Sequence, residues 1–247
     1  MRQTLNRTVT LYEYLGLYIK QNEKMKIFKT LFILLITASG FTQNPITKNV
    51  GDFTEVKVYD RIVVNLVKSD ENKVVISGED ASQVQVLNKD GKLKIRMDFD
   101  LIFDGNKTFV HVYYNNLETI DGNEGAEITS NELIEQDEIE IKMQEGARIK
   151  VGLQVREANL RAVTGGIIEA SGIAEQQSVK VNTGGIYEGR DLETERADIY
   201  VQAGGEVEVY VSKKVDITIR AGGDVMVYGN PAEVKRRRTF GGRIKIM

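Results

Sequence analysis

Glu169, Glu188 and Glu208 recur at intervals of 19 and 20 residues, with Glu206 and Asp224 close by, and they are the chain's best candidates for chemistry. If successive repeats stack, the three glutamates stand about 4.8 Å apart in one column. Three like charges at that spacing repel. Either they bind a hard cation such as calcium, which needs six or more oxygens in a shaped site, or they form a solvated, ion-screened stripe, which is the simpler reading. On the other side of each repeat's turn, Lys142, Arg161 and Lys180 form a basic counterpart. Paired carboxylates beside a basic residue could also cleave a polysaccharide, with Glu169, Glu188 and Glu208 acting and Arg161 or Lys180 assisting. Against that stand the lack of Trp for a sugar platform and the lack of long loops to build a cleft.

Three further features could bind rather than react. Tyr210 and Tyr228 occupy equivalent places one repeat apart and form either a small aromatic platform or ordinary packing. Arg236, Arg237 and Arg238 put charge where earlier repeats put Ile and Val. They read first as a guard on an open sheet edge and second as a docking patch. His111, in a Val-His-Val-Tyr strand context, reads as structural rather than as a base. Asn123, Gln144, Asn182 and Gln202 look like a partial amide ladder.

Composition removes whole classes of chemistry. There is no Cys, so disulfide frameworks, zinc ribbons and cysteine nucleophiles are excluded, and one His cannot build a multi-histidine metal site. No cofactor is expected. Of 33 basic and 36 acidic side chains, six and two lie in the first 40 residues, which leaves a body about seven units negative. That balance argues against a general nucleic-acid surface. With 41% hydrophobic residues the chain can bury a core.

The elements that must position these residues announce themselves by repetition. Glycines at 125, 146, 165, 184, 204, 222 and 241 (Gly125, Gly146, Gly165, Gly184, Gly204, Gly222, Gly241) are separated by 18 to 21 residues. Five of them are followed by a second glycine. Apolar residues fall at steps of two on both sides, which means strand, corner, strand. A unit this short cannot bury its own apolar face, so it must stack on its neighbours. The chain is therefore expected to be all-β, a β-solenoid of about seven coils over residues 119–247. Residues 45–118 lack the glycine rhythm and read as a preceding all-β subdomain, and no helix of three turns is expected.

The start of the chain reads differently. Residues 25–40 follow the order of a secretory signal peptide: Lys26 and Lys29, the apolar run Leu31 to Ile36, then Ala38-Ser39-Gly40. Cleavage is expected after Gly40, with Gln43 as the alternative. A buried core segment is the competing reading of the apolar run, which is too short to span a bilayer. Residues 1–24 read as an upstream extension, with Met25 the true start. No Cys follows the apolar run to accept a lipid, so no membrane anchor is expected after cleavage.

One family fits these residues. The Phe53-Thr54-Glu55-Val56-Lys57-Val58, Val74-Val75-Ile76-Ser77-Gly78 and Gly91-Lys92-Leu93-Lys94-Ile95 strands, the Gly-Gly coils and the closing Val227-Tyr228-Gly229-Asn230-Pro231 resemble the head GIN domain "putative auto-transporter adhesin" family of exported Gram-negative proteins. The resemblance covers most of residues 50–235. It implies an all-β fold like a right-handed, single-stranded β-helix, and it transfers no catalytic residue. Because the two β regions account for residues 45–247, no translocator barrel is expected within them. The function expected is that of a non-enzymatic exported β-solenoid presenting a surface for adhesion or envelope scaffolding. Its partner would be an envelope protein, a glycan or a second copy, in the periplasm or on the outer surface. The alternative is a polysaccharide-binding or polysaccharide-cleaving β-helix.

Overall fold

Strict alternation of buried and exposed side chains decides the strands. In Val-Val-Asn-Leu-Val-Lys, Lys-Val-Asp-Ile-Thr-Ile-Arg or Asp-Val-Met-Val-Tyr, every second residue is sealed and the others face solvent. β-branched residues dominate the sealed positions, where a pleated, half-buried surface suits them. In the computed structural model, residues 44–247 are described. The proposed signal peptide and upstream extension lie outside them.

The strands are β1 (Ile46–Asn49), β2 (Glu55–Val58), β3 (Val63–Lys68), β4 (Lys73–Gly78), β5 (Val84–Lys89), β6 (Lys92–Met97), β7 (Thr108–Tyr114), β8 (Thr119–Gly122) and β9 (Glu127–Met143). They continue with β10 (Arg148–Val163), β11 (Ile167–Asn182), β12 (Ile186–Gln202), β13 (Glu206–Tyr210), β14 (Lys214–Arg220), β15 (Asp224–Tyr228), β16 (Glu233–Thr239) and β17 (Arg243–Ile246). Only short 3-10 turns interrupt them.

Two parallel ladders run the length of the stack. One is β6, β2, β8, β9, β10, β11, β12, β14, β16. The other is β7, β3, β9, β10, β11, β12, β13, β15, β17. Strands β9 to β12 belong to both, because each bends midway and serves one ladder with each half. The β-solenoid expected from the glycine rhythm is thus the observed fold. At the far end, β5 pairs antiparallel with β6, β4 with β7, and β1 with β4.

The core is a set of columns between the ladders. Leu93, Val56, Ile120, Ile141, Leu160, Val179, Ile199 and Ile217 lie in register and are all buried. Opposite them run Val110, Val64, Ile128, Ile149, Ile168, Tyr187, Val207 and Val225. Each such side chain contributes about 1.5 to 3 kcal/mol by leaving water.

The corners explain the paired glycines. Thr183 and Gly184 both have positive φ, at 49° and 73°, and a Cβ on Gly184 would meet nothing within 4 Å, so the dihedral alone selects glycine there. Gly185 is different: its Cβ would lie 2.2 Å from the carbonyl oxygen of Ala162 in the coil below. The first glycine turns the chain and the second lets the coils approach.

The residues 45–118 join the same ladders rather than standing apart from them. Asp60 and Arg61, each with φ of 60°, make a corner between β2 and β3 without any glycine. That layer is inserted between the layer of β6 and β7 and the layer of β8 and β9, so stacking order and chain order differ there.

Candidate functional site

The corner positions place the outward columns. Lys150, Glu169, Glu188, Glu208, Met226 and Lys245 follow one another in register, so the three glutamates are neighbours on adjacent strands as expected. Lys150 closes on Glu169 at 2.5 Å. Glu206, Asp224 and Arg243 form the adjacent column. Arg243 grips Asp224 with two nitrogens, Nε to Oδ1 at 2.8 Å and Nη2 to Oδ2 at 2.5 Å, and this hydrogen-bonded guanidinium holds the Asp224 carboxyl below its ordinary range. A shallow groove of about 290 Å³ passes between Glu169, Glu188, Glu206, Glu208, Arg190 and Asp191. Among the described residues, no three His, Asp or Glu side chains converge to hold a metal ion. Lys150 pairs with the first glutamate of the column, and in the adjacent column Arg243 pairs with Asp224.

Tyr210 and Tyr228 are in register on β13 and β15, half-buried. The guanidinium of Arg190 lies 4.5 Å from the Tyr228 ring centre, a cation–π contact that sequence reasoning missed because Arg190 sits in an irregular stretch of β12. Arg236 and Arg238 occupy inward register positions above Ile217 and Ile219, while Arg237 faces outward and meets Asp216 at 2.8 Å. His111 sits outward on β7, half-buried, beside Tyr113 with ring centres 6.5 Å apart. In the amide column Gln144 Nε2 donates to Asn123 Oδ1, and Asn123 Nδ2 donates to Asp121 Oδ1 at 2.9 Å.

Another groove was not among the expected sites. It has a volume of about 610 Å³ and is lined by Asn116, Glu118, Thr119, Gln136, Asp137, Glu138, Glu140 and Asn159. Asn159 Nδ2 donates to Glu138 Oε1 at 2.9 Å, and Gln136 Nε2 to the Leu117 carbonyl at 2.9 Å. The signal was present in the pairing of Glu140 with Asn159 one coil apart, but it is a two-coil feature and the longer glutamate column obscured it.

A second acidic group sits at the glycine-free corner. Asp60, 3% exposed, accepts from the backbone N–H of Met97 at 3.0 Å and of Phe103 at 3.1 Å. Glu124 stacks beside it one coil along, and its carboxyl is held above the ordinary range, first by burial, then by the Asp60 and Glu145 carboxylates. A folded state that binds a proton more tightly than the unfolded one has that stability in full below the ordinary glutamate pKa of about 4.3 and loses it as pH rises through the folded value. Glu124→Gln is therefore expected to raise the melting temperature at neutral pH and to leave it unchanged near pH 3. Thermal scans of both proteins across that range check it.

Comparison with known proteins agrees with this architecture. A "putative adhesin" from Bacteroides fragilis superposes with a TM-score of 0.75 at 17% identity, over 83% of this chain and 98% of that one. A "putative adhesin" from Parabacteroides merdae gives 0.63 at 17% identity over 83% and 97%, and a "putative lipid binding protein" from Parabacteroides distasonis gives 0.60 at 18% over 83% and 97%. At these identities the likeness establishes the fold alone. No curated protein matches the chain. The family described as "Putative auto-transporter adhesin, head GIN domain" matches residues 52–231, every described strand but β1, β16 and β17. Glycine corners, stacked ladders and that match together place this chain in the head GIN domain family.

Proposed function

We propose that this chain is an exported, non-catalytic β-solenoid whose stiff lateral faces serve adhesion or cell-envelope scaffolding, in the periplasm or on the outer surface of a Gram-negative cell. The carrying observation is the pair of continuous ladders with in-register outward columns and open grooves along them. Such a surface suits an envelope protein or a glycan held along its length better than a small substrate. The family's adhesin description, the adhesin-described neighbours and the signal-like order of residues 25–40 support the same reading. Among the described residues, no helix is long and apolar enough to cross a membrane.

The test is made in cells and with the purified protein. Fractionation is expected to show a shortened species in the envelope, and labelled protein is expected to bind envelope preparations saturably. Release of reducing ends or unsaturated products from polysaccharides would overturn the non-catalytic part. Thermal unfolding with calcium or EDTA is expected to give the same midpoint, and a calcium-dependent rise lost in Glu188→Gln would turn the acidic column into a metal site.

A glycan is favoured as one such partner by the 610 Å³ groove, where the Asn116, Gln136 and Asn159 amides lie among carboxylates that can accept from sugar hydroxyls. Gln136→Ala with Asn159→Ala is expected to weaken retention on neutral polysaccharides. Unchanged retention would remove the groove from consideration.

A further inference from the structure

The last described layer of the stack is unlike any other. Among the described residues, β16 and β17 have a strand on one side only, so their outer backbone N–H and C=O groups form an open template. Core columns that are apolar through Ile217 and Ile219 finish at Arg236 and Arg238, whereas in the other ladder they finish at half-buried Ile244 and Ile246. The end face is thus cationic on one side and apolar on the other. Residues 233–247 hold Lys235, Arg236, Arg237, Arg238, Arg243 and Lys245 against Glu233, while residues 119–232 hold 21 acidic and 11 basic side chains. Arg237 and Arg243 are tied back to Asp216 and Asp224 in the layer below, and Arg238 donates to the Gly242 carbonyl at 3.0 Å. Among the described residues, Arg236 meets no carboxylate.

Charge alone would guard this edge, and a guard explains the arginines. It does not explain Phe240. The corner position filled by Thr183, Ala203 and Ala221 in earlier coils is here a phenylalanine, 87% exposed and held at a φ of 59°, a conformation bulky residues avoid. A guard would place a small or polar residue there. Nor does the end suit a second copy: like ends would oppose arginine to arginine, and among the described residues the edge strands at the other end, β1 and β5, carry Lys48 and Lys89 and no acid.

We propose that the β16 edge takes an extended acidic segment of a partner protein as one more strand. Backbone pairing supplies the attachment, carboxylates at alternate positions meet Arg236 and Arg238, and an apolar side chain covers Phe240. The proposal rests on the reading of the chain as a binding scaffold and names the partner's chemistry and its place of attachment.

The probe is a fluorescein-labelled peptide of about ten residues alternating Glu with Val, long enough to span a strand, measured by anisotropy against the full chain. Binding is expected to weaken as salt rises, to fall about tenfold or more in Arg236→Glu with Arg238→Glu, and to fall several-fold in Phe240→Ser, which leaves the charge unchanged. All three side chains are exposed, so circular dichroism should show the fold intact. Lys180→Glu with Arg161→Glu, elsewhere on the surface, should change affinity little. A peptide with two central prolines, which cannot donate to the ladder, should not bind. Equal binding of the proline peptide, or displacement of the Glu-Val peptide by heparin with the same sensitivity to the double variant, would make the end a general polyanion patch and overturn the proposal. Failure of the Glu-Val peptide to bind the wild type would also overturn it, and would leave the envelope-binding assay of the scaffold reading untouched.

Discussion

Gly189→Ala is expected to unfold or severely destabilise the protein, by about 3 kcal/mol or more, although the position is buried among apolar residues and alanine is a modest change. The added Cβ would lie 2.1 Å from Cζ and Oη of Tyr187, whose ring fills the space that glycine leaves. Tyr187 cannot swing aside. Its hydroxyl donates to Gln177 Oε1 at 2.7 Å, Gln177 Nε2 donates to Thr194 Oγ1 at 2.8 Å, and Thr194 Oγ1 donates to the Tyr210 carbonyl at 2.6 Å. Gln177 is fully buried and every member is satisfied, so the chain of bonds holds the ring in place. Burial also pushes the Tyr187 phenol far above its ordinary range, which keeps it a neutral donor at any working pH.

The rescue follows from the neighbouring coils. At the column positions of Tyr187 and Gln177 they carry Ile168 and Val207, and Ala158 and Ala197, and Gly189 is paired with Val209. Combining Gly189→Ala with Tyr187→Ile and Gln177→Ala should therefore restore most of the lost stability, as urea denaturation would show. Gly189→Ala with Tyr187→Phe should not, because Cζ is itself in the way. A triple variant no more stable than Gly189→Ala would show that the polar network, not the ring, sets the requirement.

Asp60→Ala is expected to cost about 2 to 4 kcal/mol. It orphans the buried N–H of Met97 and the N–H of Phe103, each worth about 1 to 3 kcal/mol when left unpaired. Asp60→Asn keeps one acceptor oxygen and should lose roughly half as much. Because Asp60 joins β2's corner to both β6 and the 98–107 connection, hydrogen exchange in Asp60→Ala should rise first in β6 and β7 and leave β11 to β15 protected. Uniform loss of protection would show that the stack unfolds as one unit.

These two sites also mark where sequence stopped being informative. The coils were legible because a corner that needs positive φ calls for glycine, and the glycines recur with the coil. The corner at Asp60 and Arg61 was not, since it meets the same demand without glycine and anchors itself with a carboxylate. The interleaving of the β2–β3 layer between later strands was equally hidden, because periodicity reports that strands stack and not in what order. In the candidate site, the glutamate column followed from register alone. Its lysine and arginine partners, the Arg190 contact on Tyr228 and the Tyr187–Gln177–Thr194 network depend on side-chain reach and volume, which spacing does not encode.

The ladder hydrogen bonds run along the stack, and β1 and the β16–β17 layer are at its opposite ends. A molecule tethered near residue 44 and gripped at the last layer would therefore be loaded in an unzipping direction, and from the β16–β17 end down to β9, where stacking order follows chain order, it would yield one coil at a time. Each coil of about 19 residues would release roughly 60 Å of slack at 3.3 to 3.6 Å per residue. Force would then be met by a run of small, similar yields, and the grip would stretch and re-form where a single-core domain would snap.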